Sequence, residues 1–204
     1  LPLGDLRIKQ SFDSKVEPAH YVRSLQLDKA VATTQFEVGG VKYMREVFTT
    51  APDSIMVMRF TADKPGMLTL DINLASLLQH TITVQRNTLL VMHGQAPARV
   101  DPNYYNKPGR EAVEQIDKDG RTGMRFQTIL KAIPVAGSIH TDKEGIHVKN
   151  ADELTLLLSA VTSFNGFDKH PDKEGKDEKL ISERRIDRLK ETTFDELKTR
   201  HISD

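Results

Sequence analysis

The sequence predicts a mainly β, antiparallel fold of the sandwich or barrel type, on three observations. Apolar and polar residues alternate through most of the first three quarters of the chain. Turn signals built on Gly, Pro, Asn and Asp recur about every 8–12 residues. No strand pattern is followed by a helix and then another strand, the order a parallel sheet requires.

The first strand carries Leu6 and Ile8 after Pro2-Leu3-Gly4-Asp5. The next carries Tyr21, Arg23, Leu25 and Leu27. Thr34 to Val38 and Val41 to Tyr43 flank Gly39-Gly40, a hairpin signal because both central residues of a tight turn can take positive φ. Ile55 to Phe60 is apolar on nearly both faces and reads as a strand covered twice. After the Pro65-Gly66 turn, Leu68, Leu70, Ile72 and Leu74 alternate strictly. Ile82 and Val84 are expected to pair with Leu89 and Val91 across Arg86-Asn87. Met124 to Ile129, Ile139 to Val148 and Leu154 to Val161 complete the β pattern. Ala96 to Thr122, with three prolines and adjacent tyrosines, reads as a long loop, functional or disordered.

Character changes near residue 165, which divides the chain into a β-sandwich over 1–164 and a loop plus helical linker over 165–204. Leu180, Ile181, Ile186 and Leu189 lie at helical spacing. Thr193-Phe194-Asp195-Glu196 has the form of a capping box, and Phe194, Leu197 and Ile202 line one face of the helix it opens. These apolar stripes need a partner surface.

Lys plus Arg and Asp plus Glu each number 29 in 204 residues, so no basic footprint for nucleic acid exists. Glu183-Arg184-Arg185 reads as a solvated helix face. With no cysteine, disulfides, thiolate metal sites and cysteine nucleophiles are excluded. No apolar run reaches the roughly 20 residues of a membrane span. A chain opening on Leu1 without a signal peptide reads as a processed or excised piece.

No GxSxG, P-loop or GxGxxG motif is present, and no cofactor is called for. Seven histidines show no ligand spacing; His140 and His147 bracket a turn as spatial neighbours, too few for zinc. The acids Asp101, Glu111, Asp117, Asp119, Asp168 and Asp172 fall in polar loops, where a solvated carboxylate is the default, so none is assigned to catalysis.

Two constellations stand out. Thr162 to Lys169 places Phe164 and Phe167 around Asn165-Gly166, with Asp168 and Lys169 behind. Such residues suit a hydroxyl-rich ligand, but the structural reading is preferred, in which both rings plug the end of the sandwich. Pro97 to Tyr105 carries Asp101, Asn103, Tyr104 and Tyr105 on the long loop. It suits sugar contact, since a tyrosine can stack on a pyranose and offer a hydroxyl, and it equally suits an exposed connector.

These runs resemble the N-terminal region of glycoside hydrolase family 95, the α-L-fucosidase family. The resemblance is carried by Pro2-Leu3-Gly4-Asp5-Leu6, Tyr21 to Asp28, Val38 to Phe48, Ala51-Pro52-Asp53, Gly94 to Pro97, Gly123 to Phe126, Thr162 to Lys169 and His201-Ile202. It implies an antiparallel β-supersandwich of the galactose-mutarotase type followed by C-terminal linker helices that lead into an (α/α)₆ barrel holding an inverting catalytic site. None of that barrel's catalytic residues matches a position here. The resemblance also implies strands before Pro2 that this chain lacks, so the sandwich is expected to be incomplete at its N-terminus.

The chain is therefore expected to be a non-catalytic domain whose partners are the catalytic domain of the same polypeptide and a fucosylated glycan. Asn165, Asp168, Lys169, Asp101, Tyr104 and Tyr105 are the candidates for the substrate rim. A stand-alone carbohydrate-binding module is the alternative, and the absence of tryptophan weighs against it. A free-standing sugar epimerase would need an acid–base pair in a cleft, and none stands out. Export from a bacterial cytoplasm follows from the family's glycan-foraging role.

Overall fold

A computed structural model describes residues 2–12, 16–102, 104–105 and 108–204. The early strands are β1 (Asp5–Ser11), β2 (Ala19–Gln26), β3 (Val31–Val38), β4 (Val41–Thr50), β5 (Ile55–Ala62), β6 (Leu68–Ala75), β7 (Gln79–Gln85) and β8 (Leu89–Gln95). Then come β9 (Arg99–Val100), β10 (Val113–Glu114), β11 (Arg125–Val135), β12 (Ser138–Thr141), β13 (Ile146–Ala151) and β14 (Glu153–Thr162). Two helices, α1 (Glu178–Asp187) and α2 (Phe194–Ser203), follow. The described helices are too short to cross a membrane.

The strands form an eight-stranded antiparallel sheet, β2-β3-β4-β5-β14-β11-β8-β7, and a four-stranded one, β1-β6-β13-β12. The two pack face to face. Leu68, Leu70 and Ile72 of the small sheet are sealed with Phe60, Leu90, Leu130 and Leu156 of the large one. The large sheet's opposite face buries Phe48, Ile55, Val57, Ile129 and Leu157 against Ile186, Leu189, Phe194 and Leu197. The molecule is thus a mainly β sandwich with a third, helical layer. The apolar stripes of 180–202 find their partner surface on the sandwich itself, while Leu180 and Ile202 stay exposed.

Local chemistry explains most elements. Gly39 and Gly40 take φ of 58° and 74°, which the tight β3–β4 turn requires. β5 is covered on both faces, as a segment apolar on nearly both faces predicts, with Phe60 toward the small sheet and Val57 toward the helices. The Thr193 capping box forms as expected: Thr193 Oγ1 accepts from Glu196 N and Glu196 accepts from Thr193 N.

The β7–β8 hairpin forms with a register one residue from the expected one. Ile82 faces Met92 and Val84 faces Leu90. Leu89 and Val91 point to the helical layer instead. Because β8 is buried on both sides, its Leu-Leu-Val-Met run looks alike in either register, and a one-residue shift exchanges the two faces.

Candidate functional site

Three strands end together at one end of the large sheet. Gln95 of β8 pairs with Arg125 of β11, and Phe126 pairs with Thr162 of β14. The two constellations singled out in the sequence leave from this end, on loops 96–124 and 163–177.

The second loop is held from below by one side chain. Arg125 Nη1 donates to the carbonyl oxygens of Asp172 at 2.5 Å and Pro171 at 3.3 Å. Its Nε lies 3.3 Å from Glu178 Oε2, a carboxylate only 3% exposed at the start of α1. His93 Nε2 reaches Glu178 Oε1 from β8 at 3.2 Å. Buried Ser163 accepts from Arg125 N at 3.0 Å through its hydroxyl and from Lys176 N through its carbonyl. Gly175 belongs here because a Cβ would fall 2.2 Å from Pro171 O and 2.7 Å from Ser163 O. Asp172 Oδ2 accepts from Thr122 N at 3.3 Å, which ties the feet of the two loops together.

Burial alone would raise the Glu178 carboxyl. Its backbone N–H, His93 and Arg125 outweigh that and hold it below the ordinary glutamate value. A carboxyl depressed in the folded state stabilises above its unfolded pKa, and that stability is lost as pH falls through the folded pKa. Asp172 is lowered too, its burial outweighed by Thr122 and Arg125. The thermal midpoint is therefore expected to fall on acidification below about pH 4.5. Glu178→Gln is expected to lose about 1–3 kcal/mol at pH 7 and to show a flatter acid limb. Parallel acid limbs in a pH series of thermal melts would refute this.

On this clamped base the loop displays the expected candidates. Asn165 Nδ2 donates to Glu174 O at 2.8 Å, and Asp168 and Lys169 are exposed. The preferred reading of Phe164 and Phe167 as plugs is overturned: Phe164 is 52% exposed and Phe167 fully so. At this end of the sandwich Ser163, Arg125 and Glu178 hold one another instead, and both rings lie at the surface.

Within the long loop 96–124, β9 pairs with β10 as a small ribbon. Asp101 is turned into it, its carboxylate 9% exposed, 2.5 Å from Arg99 and 3.4 Å from Arg110. Arg99 also binds Glu114 at 2.9 Å. Asp101 thus braces the ribbon in this structure. Tyr104 is 85% and Tyr105 41% exposed; Asn103 lies outside the described residues. Arg125, Glu178 and His93 were not singled out by their sequence context. Arg125 opens a strand that also carries Gln127, Thr128 and Lys131, so its sequence context did not set it apart.

Elsewhere, His140 and His147 are neighbours, ring centroids 6.2 Å apart, with His147 Nδ1 2.7 Å from Asp71. Among the described residues no three His, Cys, Asp or Glu side chains are grouped to hold a metal ion.

The glycosyl hydrolase family 65 N-terminal domain model matches residues 1–166. The chain belongs to that family. As a glycosyl hydrolase family 65-type N-terminal domain, it is 30% identical to α-L-fucosidase 2 of Arabidopsis thaliana, over 99% of this chain and 24% of that protein. It is 24% identical to probable α-fucosidase A of Aspergillus oryzae, over 72% of this chain and 18% of that one. The chain spans about a quarter or less of the length of these relatives. It is thus a glycoside hydrolase N-terminal domain that resembles those of fucosidases. A putative kojibiose phosphorylase from the human microbiome shares the fold, with a TM-score of 0.55 at 10% identity over 97% of this chain and 26% of that one.

Proposed function

We propose that this domain is a non-catalytic part of a family 95, α-L-fucosidase-like enzyme of inverting mechanism, exported from a bacterial cytoplasm. The sandwich of 1–164 and the linker of 165–204 brace an (α/α)₆ catalytic barrel of the same polypeptide. Loop residues reach the rim of the pocket where that barrel takes a fucosylated glycan. Asn165, Asp168 and Lys169 are the leading rim residues, with Tyr104 and Tyr105 beside them. Asp101 serves by holding the ribbon that carries the tyrosines.

One observation carries this reading: a loop held by Arg125, itself braced by Glu178, nevertheless leaves Phe167 fully exposed and Asp168 and Lys169 at the surface. A fully exposed phenylalanine on a held loop suits a surface that meets a partner. The likeness to two α-fucosidases supports the choice of sugar.

Asn165→Ala and Asp168→Ala in the whole enzyme are expected to lower kcat/KM for an aryl α-L-fucoside by about tenfold each, near 1.4 kcal/mol. Thermal midpoints should be unchanged for Asp168→Ala and slightly lowered for Asn165→Ala, which gives up its bond to Glu174 O. Unchanged kcat/KM in both variants would defeat the rim assignment. Hydrolysis of the fucoside by residues 1–204 alone would defeat the non-catalytic one.

A further inference from the structure

The helical layer covers only part of the large sheet's outer face. α2 lies over the rows that contain Phe48 and Glu46, with Phe194 on Phe48 and Lys198 on Glu46. The next rows toward the β3–β4 turn are Gln35–Met44–Thr61 and Glu37–Lys42, set side by side by the strand registers. With His20 they line a groove of about 640 Å³. That volume lies within the range of about 300–1,000 Å³ typical of ligand sites.

Three features separate this groove from an ordinary solvated face. His20 is held at φ 51°, where β2 bulges against β3 between the Ala19–Glu37 and Val22–Gln35 pairs. A bulge re-aims side chains, and a non-glycine residue kept in this region costs about 1 kcal/mol or more. Glu37 and Lys42 stand directly opposite one another, yet among the described residues neither closes an ion pair. Gln35 rests its amide on the Met44 sulfur at 3.6 Å, a weak acceptor that leaves most of its hydrogen-bonding capacity uncommitted.

We propose that this groove binds a neutral, hydroxyl-rich oligosaccharide. Two carboxylates (Glu37 and Asp63, the latter accepting from Lys42 N), an ammonium, an amide and an imidazole surround a floor that includes the Met44 thioether. An anion would meet repulsion from Glu37 and Asp63, and a cation from Lys42. A sugar hydroxyl is both donor and acceptor and pairs with either. The site lies on the sheet's outer face, apart from the loop end that carries Asn165 and Asp168. It rests on the proposed function only for the choice of a fucosylated probe.

The test is a titration of the nitrogen-15-labelled 204-residue chain with 2′-fucosyllactose and, separately, with lactose, followed by amide chemical shifts. Saturable shifts are expected at Gln35, Glu37, Lys42 and Thr61. Glu37→Ala and Gln35→Ala should each weaken binding about tenfold without changing the thermal midpoint. A response to 2′-fucosyllactose alone assigns the site to the fucosyl unit, and a response to both sugars assigns it to hexoses generally. No saturable shift at these amides, or an affinity in both variants equal to that of the parent chain, overturns the proposal. Loss of fucoside hydrolysis in the rim variants is read separately, so failure of the groove and failure of the rim are distinguishable.

Discussion

Phe194→Ala is expected to destabilise the domain by about 3–5 kcal/mol, the range for removing a buried phenylalanine. Phe194 is 7% exposed, makes an edge contact with Phe48 at 5.6 Å, and carries the Arg59 guanidinium 4.7 Å above its ring. A ten-residue helix such as α2 is marginal in water by itself and holds its shape by packing. The charged contacts around it depend on the same seat. Lys198 meets the 9% exposed Glu46 at 2.5 Å, and Arg200 meets the 8% exposed Asp53 at 3.0 Å. If truncation lifts the helix, these acids lose their partners in a poorly solvated place. Denaturant unfolding should show one cooperative transition at a lower midpoint. Ile202→Ala on the same helix, 42% exposed, should stay within about 0.5 kcal/mol of the parent chain. A cost below about 1 kcal/mol for Phe194→Ala would mean that α2 is a tether rather than a layer of the fold.

The same helix shows what was legible beforehand. Thr193, Glu196 and the spacing of Phe194 and Leu197 act within one or two turns, so their pattern survives in the sequence. β6 was legible because it keeps one wet face: Leu68, Leu70, Ile72 and Leu74 are buried and their neighbours are not. β8 was legible as a strand but not in register, since both its faces are dry. β2 was legible as a strand but not as the outermost one. Tyr21, Val22 and Leu25, with Leu27 in the turn that follows, are all more than half exposed, and whether a covering layer lies over a strand is not written in that strand. The ribbon of β9 and β10 escaped because two-residue strands have no period, and Arg99 with its acids orders them instead. At the candidate site the display residues were found and their support was not. Arg125, His93 and Glu178 lie on three separate elements, and only the pairing of β8 with β11 and the docking of α1 bring them together.

Arg125→Ala is the other change with a large expected effect, and it tests whether that support matters. It leaves Glu178, 3% exposed, with His93 and its own backbone N–H but no full positive charge beside it, and strips the donor from the Pro171 and Asp172 carbonyls. Breaking a buried ion pair costs about 3–5 kcal/mol, and the lower end applies because Arg125 is itself 27% exposed. The loss should be local before it is global. Amide exchange is expected to rise through 163–177, while β5 and β6 keep their protection. Arg125→Lys should recover less than half of the loss, because one ammonium cannot reach two carbonyls and a carboxylate along a planar fork. A double-mutant cycle with Glu178→Gln should give a coupling of at least about 1 kcal/mol. In the whole enzyme the variant is expected to act as Asp168→Ala does on kcat/KM, although Arg125 lies beneath the loop rather than on its surface. Unaltered exchange across 163–177 in Arg125→Ala would show that the loop holds its shape without the clamp, and the rim assignment would then lose its physical basis.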